Sequence, residues 1–244
     1  MRAILTYHSI DPSGSPISID VAAFQRHVDF LASSKVKVVP LAEIISNSQD
    51  DAVAITFDDG FTNFSAQAWP RLLAHGLPAT LFVVTGQVGK DNAWGGKRDS
   101  RVPHLRLMDW DQLGLLAEQG LELGAHSRTH PHLPTLSDAQ QLDEIEGCAD
   151  DLFKNGGARP TSFCYPYGSL DQRAIVNVAT RYRRACTTEL AALSGKESPH
   201  RLPRLDAYYF RGPGRLEAWG KFGFRARIEL LRAARSLRAR CGVR

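Results

Sequence analysis

Apolar runs of strand length recur along the chain, at residues 3–7, 37–39, 53–57, 79–84, 121–125, 162–165 and 183–187. Segments of helical period with readable ends lie between them. Asp20 caps a helix whose Phe24, Val28 and Leu31 share one face; Asp109 and Gly120 bracket a second, and Ser137 and Gly156 a third. Strand and helix alternating in this way predict parallel strands joined by right-handed crossovers, hence an α/β fold. A (β/α) barrel, complete or partly open, is the leading architecture and an open doubly wound sheet the second.

Two stretches break the alternation. Residues 85–107 are long, polar and glycine-containing, which suggests a loop laid over a site. Residues 190–200 are similar and less informative. The chain has 244 residues, 43% of them hydrophobic, enough to bury one sizeable core. A single domain is expected over 1–213, followed by a basic helical segment over 214–244.

Charge changes the picture only at one end. The formal net charge is +4, yet 214–244 alone carries nine Lys/Arg against Glu217 and Glu229, so the rest of the chain is slightly acidic. With no basic and aromatic interleaving elsewhere, a nucleic-acid partner is not expected. The four cysteines (Cys148, Cys164, Cys186, Cys241) are widely spaced and form no CxxC pair, which excludes a disulfide scaffold and a zinc ribbon. The opening MRAILTYHSIDPSG lacks the apolar stretch of a secretory signal or membrane span, so a cytoplasmic location is expected.

Candidate chemistry gathers where the apolar runs stop. The run over 53–57 ends in Asp58-Asp59-Gly60, two adjacent carboxylates at the point where a buried strand emerges. Such a pair repels itself unless a cation or proton lies between, which suggests a metal ligand beside a base. The run over 121–125 ends in His126-Ser127-Arg128-Thr129-His130, whose histidines at i and i+4 would point the same way from one helical turn and suit a single divalent ion. His132 follows Pro131, off that face. One carboxylate and two histidines leave coordination positions open for water, the catalytic arrangement. A third run ends in Tyr165-Pro166-Tyr167-Gly168, where the proline and glycine could hold the Tyr167 N–H toward an oxyanion. The first run ends in His8-Ser9. In a barrel all these strand ends converge.

TFDDG (56–60), HSRTH (126–130) and the YPYG ending at Gly168 resemble, in this order, the metal-binding motifs of the polysaccharide deacetylases, the NodB-like carbohydrate esterase family 4. The resemblance implies a distorted (β/α)7 barrel and hydrolysis of an acetamido group on an N-acetylated sugar. It would make Asp58 the general base, Asp59, His126 and His130 the ligands of one divalent ion, and Tyr167 the backbone donor to the oxyanion. Zinc is the expected ion, with cobalt, nickel, iron and manganese as alternatives. Two departures stand out. Cys164 occupies the position where the third motif usually carries an arginine, and no histidine follows His200 to serve as the usual general acid. The opening TYHSID resembles the permuted poly-N-acetylglucosamine deacetylase branch, which makes His8 the replacement acid, and Arg204 in RLPRLD could stand beside Asp58 in place of the absent arginine.

The competing functions are a non-catalytic carbohydrate-binding relative, against which the complete set of Asp58, Asp59, His126 and His130 counts, and an O-acetyl esterase or small-amide hydrolase of the same fold. In the C-terminal segment, Phe224, Ile228, Leu231 and Ala234 fall at helical spacing among six arginines. That pattern predicts a helix packed on the body, or alternatively a peripheral contact with the inner face of a membrane for an enzyme whose sugar is lipid-linked.

Overall fold

A computed structural model describes residues 1–45, 50–94 and 100–240, the last three by backbone alone. Residues 95–99 of the 85–107 stretch, Cys241 and the end of the basic segment lie outside the described residues.

The seven apolar runs are all strands: β1 (Arg2–Tyr7), β2 (Lys37–Val38), β3 (Ala52–Phe57), β4 (Ala79–Val83), β5 (Glu122–Ala125), β6 (Ser162–Cys164) and β7 (Arg184–Cys186). An eighth, β8 (Leu205–Asp206), has only two residues. Every pairing among them is parallel, in the order β8-β1-β3-β4-β5-β6-β7, with β2 paired to the start of β3. The ends of this row meet at one parallel bridge between Cys186 and Leu202, supported by Thr187 N–H to Leu202 O at 2.8 Å. Leu202 leads directly into β8. The sheet is thus a distorted seven-stranded barrel drawn shut by a short contact.

Alternation along each strand divides the apolar residues into two clusters. Ile4, Ala54, Phe82, Cys164, Cys186 and Leu202 pack together inside the barrel. Their neighbours Leu5, Val53, Ile55, Leu81, Phe163 and Ala185 belong to the larger cluster formed with the helices. The interior is narrow. A Cβ on Gly124 would lie 2.5 Å from the Phe82 ring, so the glycine is the gap that Phe82 fills.

Helices cover the outside. In α1 (Val21–Ala32) the Asp20 carboxylate accepts from Ala23 N–H at 2.7 Å, and in α3 (Trp110–Glu118) Asp109 and Gln112 form a reciprocal capping box. Two further helices, α2 (Trp69–Ala74) and α6 (Gln172–Arg181), went unmarked by the sequence pattern. The run expected between Ser137 and Gly156 is interrupted: α4 (Asp138–Leu142) and α5 (Cys148–Gly156) are joined by a π-helical turn, Asp143–Gly147. It stops one residue later than expected, at Gly157, whose φ of 72° reverses the chain. Finally α7 (Phe222–Arg240) packs Phe224 onto Phe210 with ring centroids 4.9 Å apart. Among the described residues, no helix is long and apolar enough to cross a membrane.

Candidate metal centre and active site

Strand parity continues past the strand ends and places the polar residues. Ile4 and Thr6 lead to His8, Ala54 and Thr56 to Asp58, and Gly124 to His126, so three chemically active side chains open on the same barrel mouth. They line a cleft of about 1070 Å³ with Asp59, His130 and Tyr167. The 85–107 stretch does reach over it, because Asn92, Trp94 and Val102 contribute to the same wall.

Asp59 Oδ1 lies 3.5 Å from His126 Nε2 and 3.6 Å from His130 Nε2. Atoms bound about 2.0–2.2 Å from a tetrahedral ion stand about 3.3–3.5 Å apart, so this is the spacing of a ligand shell. Asp59 Oδ1 is buried and has no hydrogen-bond partner, a costly arrangement that a divalent ion would satisfy. Burial pushes the Asp59 carboxyl up, against the pull of His8 and His126, and burial followed by the neighbouring His126 pushes the His130 imidazole well down, leaving it neutral as a ligand must be. His126 Nδ1 meets Cys164 O at 2.7 Å; the carbonyl can only accept, so the proton sits on Nδ1 and the Nε2 lone pair faces the site. Asp58, His126 and Cys164 also converge. That second group is not a ligand set, since Asp58 is engaged elsewhere and burial holds the Cys164 thiol well above its usual range.

The two histidines do not share a helical turn. His126 ends β5, and the chain then folds through a tight loop in which Ser127 and His130 have φ of 64° and 62°. The i, i+4 spacing works here because two left-handed residues turn His130 back toward His126, with ring centroids 4.8 Å apart. Buried Glu144 holds that loop. Its carboxylate accepts the N–H groups of Arg128 and Thr129, each at 2.8 Å, and the Thr129 hydroxyl at 2.5 Å. Glu144 sits on the π-helical turn, which carries a single carboxylate inward from an otherwise amphipathic helix. Arg128 binds Asp151 at 3.0 Å on one side of the loop and Asp143 at 3.0 Å on the other.

Asp58 is gripped by Arg204. The guanidinium Nη1 and Nη2 donate to Oδ1 and Oδ2 at 2.7 Å each, while Nε donates to Thr187 O at 2.9 Å. Burial alone would raise the Asp58 carboxyl; the Arg204 charge and its bonds outweigh that and hold it well below the carboxylate range. His8 Nε2 is 3.6 Å from Asp58 Oδ2, with the His8 side chain 22% exposed to the cleft. Asp206, aligned beside Thr6 across β1 and β8, is partly buried, and desolvation raises its carboxyl, the His8 charge pulling the other way. Neither Glu144 nor Asp206 was singled out from the sequence.

Tyr167 is itself left-handed, with φ of 59°, between Pro166 and Gly168. Its ring stacks on His132 at 4.2 Å and meets His130 edge-on at 4.4 Å, which explains His132 without metal ligation. A Cβ on Gly168 would fall 2.1 Å from Thr188 Oγ1, so that position is closed to other residues. Among the described residues five non-glycine positions have positive φ, and four of them (Asp59, Ser127, His130, Tyr167) lie at this site. Each costs on the order of 1–3 kcal/mol and persists only under close surrounding support.

A parallel barrel with an Asp-His-His cluster that could hold a metal ion at the C-terminal ends of its strands, beside a second, ionised carboxylate, is the arrangement of a metal-dependent hydrolase. A family model described as polysaccharide deacetylase matches residues 46–184, more than half of the chain. The chain belongs to the polysaccharide deacetylase family, and is a carbohydrate deacetylase that uses a divalent ion. YxkH of Bacillus subtilis, a relative assigned to polysaccharide deacetylation, is 27% identical over 210 residues, covering 83% of this chain and 70% of that one. A poly-β-1,6-N-acetyl-D-glucosamine N-deacetylase of Staphylococcus aureus is 23% identical over 206 residues, covering 77% and 67%. In fold, the structure of IcaB from Ammonifex degensii superposes with a TM-score of 0.72 at 21% identity, over 85% of this chain and 94% of that one.

Proposed function

We propose that this enzyme removes acetyl from N-acetylated hexosamine units of a glycan, with poly-N-acetylglucosamine as the first substrate to test and zinc as its ion. The convergence of Asp59 Oδ1, His126 Nε2 and His130 Nε2 on one point beside Asp58 carries this reading. The ion held there would polarise the acetyl carbonyl and lower the pKa of a bound water. Asp58 takes the proton of the attacking water. Both its oxygens already accept from Arg204 and Oδ2 also accepts from the Cys164 thiol at 3.6 Å, so Oδ1 keeps the lone pair for this step, while the guanidinium fixes the carboxylate plane and keeps it ionised. The Tyr167 N–H is the donor to the developing oxyanion. His8, more exposed than Asp58 and in the field of both Asp58 and Asp206, gives a proton to the departing amine.

The test combines metal analysis with acetate release from N-acetylglucosamine oligomers. Stoichiometric zinc and turnover are expected of the wild-type chain, and loss of both in His130→Ala. Asp58→Asn should keep its metal and lose roughly 100-fold or more in rate. Full metal retention by His130→Ala, or near-normal turnover by metal-loaded Asp58→Asn, would overturn these assignments.

A further inference from the structure

Helix α7 has two apolar faces. One is buried, with Phe224 and Ile228 each 2% exposed against the body. The other is a stripe of Phe222, Ala226, Leu230, Ala233 and Leu237, spaced at intervals of four and three residues so that it runs straight along the helix. Its large members face solvent: Phe222 is 88% exposed, Leu230 72% and Leu237 61%. Helical rotation sets Glu229, then Arg225 and Arg232, along one border of the stripe and the partly buried Arg227 beyond the other. Across α7 the sequence holds six arginines and one acid, Glu229.

The helix is fastened next to the cleft. Arg232 pairs with Glu189 at 2.8 Å, one residue beyond the cleft-lining Thr188, and Arg227 donates to Tyr209 O at 3.1 Å in the turn after β8. An apolar stripe on a helix of net charge +5 matches the boundary of an anionic bilayer, where the stripe enters the acyl region and the exposed Arg225 lies nearest the phosphates. A second copy is a poorer occupant, because face-to-face pairing would bring two helices of net charge +5 together.

We propose that α7 seats this enzyme on an anionic phospholipid surface, with Phe222, Leu230 and Leu237 in the headgroup boundary and the cleft opening beside it. Such docking goes beyond deacetylation and is read without turnover, so its failure leaves the deacetylase assignment untouched.

The experiment is co-sedimentation of the full chain with vesicles of phosphatidylglycerol and phosphatidylcholine, against phosphatidylcholine alone. Binding to the anionic vesicles should be about 10-fold or more the stronger, and should weaken at high salt. Leu230→Glu/Leu237→Glu should lose about 10-fold or more of that binding while releasing acetate from soluble oligomers at the wild-type rate. Phe222→Glu, at the most exposed position, is the second variant should the first lose its circular dichroism signal. Equal binding to both vesicles, or binding unchanged by both variants, overturns the proposal. So does a dimer, seen by light scattering, that Leu230→Glu/Leu237→Glu converts to monomer, since the stripe would then serve a second copy.

Discussion

Arg204 and Asp58, 146 residues apart in sequence, form a two-pronged buried ion pair with both N–H···O distances at 2.7 Å. The same guanidinium reaches Cys164 Sγ at 3.0 Å. Where an arginine on β6 was absent from the motif, a small thiol leaves room for an arginine arriving from the segment before β8, two strands away across β7, and the carboxylate receives the charge it needs from the new direction.

Removing that charge should be severe. Arg204→Met leaves a buried carboxylate unpaired, at a cost of about 3–5 kcal/mol. The pH dependence has a definite sign. In the wild type the folded Asp58 carboxyl lies below its unfolded value, so the pair stabilises fully above about pH 4 and loses that contribution as pH falls toward the depressed folded value. Without Arg204 burial dominates and the carboxyl rises, so its ionisation destabilises the variant as pH increases. Denaturant unfolding should therefore show a larger gap between the two proteins at pH 7 than at pH 4; a constant gap would argue against the pair.

His8→Ala separates an acid from a structural residue. If His8 protonates the amine, the variant should lose roughly 100-fold or more on N-acetylglucosamine oligomers and far less on an aryl acetate, whose phenolate leaves unaided. Parallel kcat/KM measurements decide it, and equal losses on both substrates would remove His8 from the role.

Glu144→Ala tests the support of the ligand loop. Three donors from Arg128 and Thr129 would lose their acceptor and His130 its fixed turn, so metal affinity should fall about 10- to 100-fold. Titration of the metal-free protein with zinc reads this directly. An unchanged Kd would show that the left-handed loop holds itself.

Gly124→Ala tests the barrel interior. A Cβ there meets the Phe82 ring at 2.5 and 2.7 Å, and Phe82 is fully buried, so overpacking should cost about 1–3 kcal/mol. Adding Phe82→Leu should recover part of it in a thermal melt. Loss of more stability in the double variant than in Gly124→Ala alone would contradict the packing argument.

The seven strands were legible because buried strands of a parallel barrel are continuous apolar runs, and their ends were legible because carboxylates and imidazoles there have no packing reason to exist. β8 was not, since a two-residue strand just before the turn at Ala207–Phe210 carries no period. The HSRTH spacing paired the two histidines through a helical turn that does not form; the loop that brings them together depends on positive φ at Ser127 and His130, which neither residue type announces. Glu144 was invisible for a related reason. It lies in an acidic amphipathic run, and only the extra residue of a π-helical turn brings it inward. Arg204 could be named from chemical need, as an arginine missing elsewhere, whereas its partnership with Thr187 O required the fold.

The last strand of the chain, β8, pairs with the first, β1, joining Leu5 to Leu205 and Thr6 to Asp206. His8 and Arg204, drawn from the first and last strands, therefore become neighbours of one carboxylate only when the ring is complete. During synthesis every other site residue except Asp206 leaves the ribosome before Arg204 does. A nascent chain stopped short of β8 exposes the free edge of β1 and strands Asp58 without its cation, a state prone to edge pairing and in need of protection. Completion of the centre thus waits on a contact between the two ends of the barrel's sequence, the kind whose loop closure costs most before it is rewarded.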